Sequence, residues 1–365
     1  MNDFKLMLVE DSEEDIKLCR ACIEDFQQEK SCTIDLVESR NVDEAFIKLD
    51  NSFDAAIIDL KLADQGNEGN QVVNRIAESH LRIPMAILTG TPDAADLDFA
   101  YIGIFKKGDP GAGYVDIMEH FWKIHNTGLT RIMGGRGKIE ETLDNVFKKN
   151  LLPEQYRKKW IEYGEKYPDR TEKALLRHAL SHLLQLLDYD GSRYFPEEVY
   201  LAPPLDSEIR TGSIVKEKSS NIFFVVMNPV CDLVVRDTGE CNTDRILLVE
   251  IDSQSLLFPK HPPTGLSNSQ RKDLEKAYKN NKSYYYHWLP ETDFFDGGFL
   301  NFRKIFTLSK DELTERFECP SLQVSPSFVK DMIARFSVYY ARQGQPDIDF
   351  DHFINSSAVQ TGNSK

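Results

Sequence analysis

Five polar positions, each closing a short apolar run, constrain this chain more than any other feature. Glu10 and Asp11 follow Leu6-Met7-Leu8-Val9, and Asp59 follows Ala55-Ala56-Ile57-Ile58. Thr89 follows Met85-Ala86-Ile87-Leu88, and Lys107 closes Ile102-Gly103-Ile104-Phe105-Lys106. Helix-like stretches separate the runs. Continuous apolar runs of this length are the pattern of strands buried on both faces of a parallel sheet. The carboxyl ends of such strands share one edge, and ligands bind there. The pattern predicts an α/β, doubly wound, parallel five-stranded sheet. Its strands are expected at 4–9, 32–37, 54–58, 84–88 and 101–106. Its helices are expected at 12–28, 42–50, 69–79, a short one near 92–98, and 113–125. The first helix opens on Asp11-Ser12-Glu13-Glu14, a cap followed by acids that suit the positive helix end.

The shared edge has a definite chemistry. Glu10, Asp11 and Asp59 are three carboxylates that repel one another without a cation. Mg²⁺ suits such oxygen ligands and keeps several waters. A phosphoryl group arriving on one carboxylate needs a metal, an ammonium and a hydroxyl to stabilise its oxygens. Lys107 supplies the ammonium and Thr89 the hydroxyl.

With those residues in that order, positions 1–125 resemble the receiver domain of bacterial two-component response regulators. The resemblance implies that Asp59 is the phosphoacceptor, that Glu10 and Asp11 hold Mg²⁺ with it, and that Lys61 adds its backbone carbonyl. It makes Thr89 the switch hydroxyl and Lys107 the phosphate-binding lysine. It implies a phosphorelay in which a histidine kinase or phosphotransfer protein is the donor. The receiver would then take part in its own phosphoryl transfer and dephosphorylation. The chain departs from the family pattern in three places. The loop from Asp59 to Gly69 is long and lacks the common proline. Thr89 to Lys107 is short by about one helical turn. The aromatic switch position holds Ile104, with Tyr101 and Phe105 as substitutes. Lys106 competes with Lys107, and alternate residues on a strand face opposite ways.

Net charge is −15, which disfavours a nucleic-acid-binding surface built on clustered Lys and Arg. The basic clusters at 148–149, 157–159 and 271–282 are interleaved with acids and read as solvated helix faces. No helix-turn-helix pattern follows the receiver segment. No stretch approaches the run of about 20 apolar residues that spans a bilayer, and the start lacks a signal peptide, so a cytoplasmic chain is expected. The six cysteines are scattered, which argues against a disulfide framework. Cys19 and Cys22 fall on a helix whose apolar face they share with Ile16, Ile23 and Phe26, and read as packing residues.

Four segments are expected: a receiver domain at 1–127, a helical connector at 128–193, an α+β output domain at 194–354 and a disordered tail at 355–365. Gly134-Gly135-Arg136-Gly137 lacks the spacing of a phosphate loop and reads as a flexible hinge. Helices follow at about 138–150, 153–166 and 171–188. The last is apolar over a wide arc, so it is expected to be buried in a bundle or an interface. His178 and His182 lie on it at i, i+4, but no glutamate or third ligand accompanies them, and they read as structural histidines.

The output segment is expected to have a small β-barrel-like core, with strands at 211–215, 221–227, 245–251 and 299–306 and helices at 309–315 and 326–342. The series T-G-S-I-V, F-F-V-V-M-N-P-V-C-D-L and I-L-L-V-E-I weakly resembles the SH3-like barrel of PemK/MazF-type ribonuclease toxins. Ser213 stands where those toxins have Asp, which counts against a nuclease. Cys231, with Asp232 beside it, is a candidate output site, and His287 is its candidate partner. Burial of an inert Cys231 at the end of its strand is the expectation.

The sequence thus predicts a response regulator in which Mg²⁺-dependent phosphorylation of Asp59 switches a non-DNA-binding output domain that regulates a partner. That effector is unidentified, and a second copy of the chain is a candidate partner. The alternative is an output domain that is a receiver-gated enzyme, a nuclease or a Cys-dependent hydrolase.

Overall fold

In the computed structural model the first apolar runs become five parallel strands. They are β1 (Asp3–Val9), β2 (Thr33–Ser39), β3 (Ala55–Ile58), β4 (Met85–Thr89) and β5 (Gly103–Lys106), in the order β2-β1-β3-β4-β5. The structure describes residues 3–63, 66–99, 101–186, 193–234, 241–262, 264–342 and 348–351. The tail expected at 355–365 lies outside the described residues. Contacts divide the chain into two units, Met1–Gly191 and Ser192–Lys365.

The first unit is wound on both faces. Helix α1 (Glu13–Lys30) starts at Ser12, whose hydroxyl accepts from the Asp15 amide, and ends at Ser31 in the left-handed region (φ 52°). Its buried stripe, Ile16, Cys19, Ile23 and Phe26, packs on one sheet face with Ile117, Met118 and Phe121 of α4 (Tyr114–Thr127). The other face carries α2 (Val42–Lys48) and α3 (Gly69–Glu78), with Ala45, Val72, Val73 and Ile76 buried. Cys19 is fully buried and Cys22 packs beside it; burial pushes the Cys19 thiol up to about 12.

The short helix expected near 92–98 is a single 3₁₀ turn, Pro92–Ala94. The Asn70 side chain explains the loss. It donates to the Ala94 carbonyl at 2.8 Å and accepts from the Asp96 amide at 3.3 Å. The Tyr101 hydroxyl takes the Asp96 carbonyl at 2.9 Å. These bonds hold the segment in a non-helical path.

Four helices follow: α5 (Leu129–Met133), α6 (Lys138–Val146), α7 (Glu154–Lys166) and α8 (Pro168–Gln185). A π-helical turn, Phe147–Leu151, continues α6. The glycine segment expected to be a hinge is a packed corner. A Cβ on Gly135 would lie 2.2 Å from the Asn51 carbonyl oxygen, and Arg136 pairs with Asp54 at 3.6 Å. Arg82 donates to the Met133 carbonyl and to Glu140. Helix α8 departs from expectation. It packs against α6 and α7 by one face, and of its residues only Thr171 is buried. Leu176, Leu180 and Leu184 remain 60%, 49% and 61% exposed on the opposite face. Three short helices cannot cover so wide an apolar arc.

The second unit is an antiparallel sheet with helices. Its elements are β6 (Tyr200–Leu201), β7 (Ser213–Lys216), β8 (Phe223–Val226), α9 (Val230–Leu233), β9 (Ile246–Asp252), α10 (Gln254–Leu257) and α11 (Asn268–Tyr278). Then come β10 (Tyr286–Leu289), β11 (Gly298–Leu308), α12 (Lys310–Arg316), β12 (Leu322–Val324) and α13 (Pro326–Ala341). The strand order is β10-β11-β9-β8-β7-β12-β6. One face packs with Met332 of α13, and the other with Leu313 of α12 and with Phe317. The sheet curls so that its ends meet: Tyr200 on β6 donates its hydroxyl to the Pro290 carbonyl just past β10, at 2.7 Å. Along β10 the Trp288 amide donates to the Asn280 side chain at 2.7 Å, and Arg335 donates to the Tyr286 carbonyl at 3.1 Å.

Candidate functional site

Backbone ladders bring the scattered polar residues together. Val9 of β1 lies level with Ile58 of β3, and the Asp59 amide donates to the Val9 carbonyl at 2.9 Å. Thr89 of β4 lies level with Lys106 of β5, and the Lys107 amide donates to the Thr89 carbonyl at 2.9 Å. All five positions therefore sit at the carboxyl edge of one sheet. In this strand order that edge has its topological switch between β1 and β3, where open α/β sheets bind ligands.

Glu10, Asp11 and Asp59 each bring one carboxylate oxygen within 4.8 Å of the others. Glu10 and Asp59 are 2% and 5% exposed, whereas Asp11 is exposed. The Lys107 ammonium lies among the carboxylates, 2.7 Å from Glu10 Oε2, 2.8 Å from Asp59 Oδ2 and 2.7 Å from Asp15 Oδ2. Glu10 also accepts from the Ser12 amide at 3.0 Å, and Asp59 from the Lys61 amide at 3.1 Å. Burial raises the Glu10 carboxyl to about 7, against the opposing pull of Lys107. Burial alone would lower Lys107, but its bonds to Asp15, Asp59 and Glu10 outweigh that and hold it above the ordinary lysine range. The Lys106 side chain, by contrast, is exposed, so geometry separates the two candidate lysines.

Thr89 is fully buried; its hydroxyl accepts from the Thr91 amide at 3.3 Å and meets the Thr91 hydroxyl at 3.4 Å. Gly69 opens α3 directly against the loop that follows Asp59. Its amide donates to the Leu60 carbonyl at 2.9 Å, and a Cβ there would lie 2.1 Å from the Asp59 carbonyl oxygen. Ile104 packs on the same side of the sheet as Tyr101, while Phe105 packs on the other side, its ring over Gly103.

Asp15 is the site residue that the sequence pattern missed. It lies in the acidic first turn of α1, where a carboxylate is explained by the helix dipole alone. Only its reach to Lys107 sets it apart.

In the second unit Cys231 and Asp232 lie together on α9, whereas His287 lies on β10. Cys231 is exposed, contrary to expectation, because β8 stops at Val226 and the turn at Asn228-Pro229 lifts the thiol onto α9. Its sulfur lies 3.6 Å from Asp232 Oδ1. His287 is buried in β10 with its Nδ1 3.7 Å from Asp331. Burial holds its imidazole down to about 4. The charged cluster built into this unit is a different one. Lys304 lies 2.6 Å from both Glu250 and the buried Asp252, and Asn301 donates to Asp252 at 2.7 Å.

No family model matches the chain, and no curated protein matches it. Among the solved structures similar to it are receiver domains and response regulators that correspond to about a third of its length. The receiver domain of a putative Luxo repressor protein from Vibrio parahaemolyticus is 19% identical, with 36% of this chain and 98% of that one covered and a TM-score of 0.29. The N-terminal domain of a response regulator/sensory box/GGDEF protein from Carboxydothermus hydrogenoformans is 19% identical, with 34% and 98% covered and a TM-score of 0.28. A two-component response regulator from Legionella pneumophila is 16% identical, with 34% and 98% covered and a TM-score of 0.27. The five parallel strands, their order and the helices on both faces give the first unit a receiver-type fold. A curled antiparallel sheet with helices, of α+β class, follows it.

Proposed function

We propose that the chain is a response regulator whose first unit accepts a phosphoryl group on Asp59. The observation that carries this reading is the contact of Lys107 with Asp59 at 2.8 Å inside a three-carboxylate cluster at the sheet edge. Glu10, Asp11 and Asp59 fit Mg²⁺: they are oxygen donors close enough to share one ion, and the buried Glu10 carboxyl lacks the solvation a free anion needs. Bound there, the ion would neutralise charge on the transferring phosphoryl oxygens. Lys61 would complete the metal shell through its carbonyl.

The donor in this reading is the phosphohistidine of a histidine kinase or phosphotransfer protein. Asp59 attacks phosphorus through a carboxylate oxygen, the P–N bond to histidine breaks, and an acyl phosphate forms. Lys107 holds a phosphoryl oxygen, and Thr89 rotates its hydroxyl from Thr91 to another. The new charge on Asp59 biases the β4–β5–α4 face between two arrangements. The second unit is then the output, and it acts by binding an effector.

A small-molecule phosphodonor with Mg²⁺ tests the acceptor. One phosphoryl group per chain is expected on the intact protein, none on Asp59→Asn, and none with chelator present. Equal labelling of Asp59→Asn would remove the assignment.

A further inference from the structure

We propose that His178 and His182 form a chelating site for a borderline divalent transition ion, Zn²⁺ above all, on helix α8. The two residues are one turn apart on an 18-residue helix. Their Nε2 atoms lie 3.2 Å from each other, with ring planes at 88°. Tetrahedral zinc with Zn–N bonds of about 2.0–2.1 Å needs two imidazole nitrogens about 3.3 Å apart. The pair is therefore set to the bite of the ion before any ion arrives. Both rings are half-buried on the face that packs against α6 and α7, and Trp160 lies 6.1 Å from the His178 ring. That packing restricts the rotamers, so part of the ordering cost of chelation is met in folding.

The donor set selects the metal class. Neutral imidazole nitrogen suits Zn²⁺, Cu²⁺ and Ni²⁺, whereas Mg²⁺ prefers oxygen. The carboxylate cluster at the sheet edge has the opposite preference, so one chain carries two sites of different hardness. Among the described residues no third side chain joins the histidines in a cluster of ligating atoms. Water would complete the shell, which leaves open positions on the ion. Without metal the same geometry serves as one hydrogen bond, an Nε2–H of one ring donating to the other. Chelation requires both Nε2 atoms unprotonated, so acid must release the ion. Because the ion would bind only the folded helix, it would also stabilise the unit that contains it.

The test is calorimetric titration of the full chain with Zn²⁺, with Mg²⁺ in excess to occupy the carboxylate cluster. One tight site per chain is expected. His178→Ala and His182→Ala should each weaken it at least tenfold, and far-ultraviolet circular dichroism should show α8 retained. Copper gives a second readout: the spin-resonance spectrum of the 1:1 Cu²⁺ complex should show two-nitrogen coordination that both variants lose. Zinc binding unchanged in either variant would overturn the proposal, and so would absence of a site in the wild type. If a variant misfolds, the copper spectrum of wild type decides alone, since coordination without paired imidazole nitrogens refutes the site.

Discussion

Lys107 does at the scale of one residue what a metal does at the scale of the site. Its ammonium neutralises Glu10 and Asp59 directly, and Asp15 holds a third share of it at 2.7 Å. In the proposed reading Mg²⁺ would have to displace a lysine, and Asp15 offers that lysine another partner. Asp15→Asn removes the alternative and a nearby negative charge, and both effects disfavour the ion. The Mg²⁺ concentration for half-maximal phosphorylation should rise about threefold or more, the size set by a partly exposed ion pair worth about 0.5–1 kcal/mol. Asp15→Glu should restore most of it; an unchanged titration in Asp15→Asn would show that Asp15 does not position Lys107. His287 gives a second prediction. Its folded value of about 4 lies below the ordinary 6.5, so the unfolded chain binds the proton first as pH falls. Its contribution is complete above 6.5 and is lost as pH drops towards 4. His287→Gln should flatten the fall in denaturation midpoint across that window. That Glu10, Asp11, Asp59, Thr89 and Lys107 meet at one sheet edge was legible in the sequence because strand ends fix where they must lie. Asp15 was not, since nothing in the string Glu13-Glu14-Asp15 separates a lysine partner from a capping acid. Cys231 misled because an apolar strand before it suggested burial, while the turn residues after Met227 decided otherwise.

Among the elements, α3 is tied closely to the backbone of Asp59. Gly69→Ala would place a methyl group 2.1 Å from the Asp59 carbonyl oxygen, so helix and loop must separate. Loss of roughly 1–3 kcal/mol, the usual cost of overpacking, should accompany slower phosphorylation. Gly164→Ala is the matched control. It lies inside α7, a Cβ there meets nothing within 4 Å, and the change should stabilise by up to about 1 kcal/mol. Thermal melts and phosphorylation rates on both variants separate a local clash from a general response to alanine. Long, periodic elements such as α1 and α13 were readable from their apolar stripes. Strands β6, β10 and β12 were not: β6 has only two residues, and His287 and Gln323 interrupt the apolar runs of the other two. The 3₁₀ turn at Pro92 was hidden for another reason, since Asn70, far off in sequence, decides it.

At the scale of the whole molecule, the helices after α4 belong energetically to the sheet before them. Arg82 binds the Met133 carbonyl and Glu140, and Gly135 lies against the Asn51 backbone. A fragment ending at 127 should melt lower than one ending at 191, and Arg82→Ala in the longer fragment should lower its melting and abolish part of the difference. Equal melting of the two fragments would show that the corner contributes no stability. The change of texture to short strands put the start of the output segment at 194, and contacts divide the chain at 191, whereas the glycine-rich stretch at 134–137 that looked like a hinge is packed. The second unit has a consequence of its own. Its terminal strand β10 spends outward backbone groups on Asn280 and Arg335, and the opposite strand β6 has only two residues before Ala202-Pro203-Pro204. Unpaired strand edges are where foreign peptides extend a sheet. Here one margin has Tyr286 and Trp288 already bonded and the other is two residues long, so the effector of the proposed reading would recognise side chains and would not add a strand.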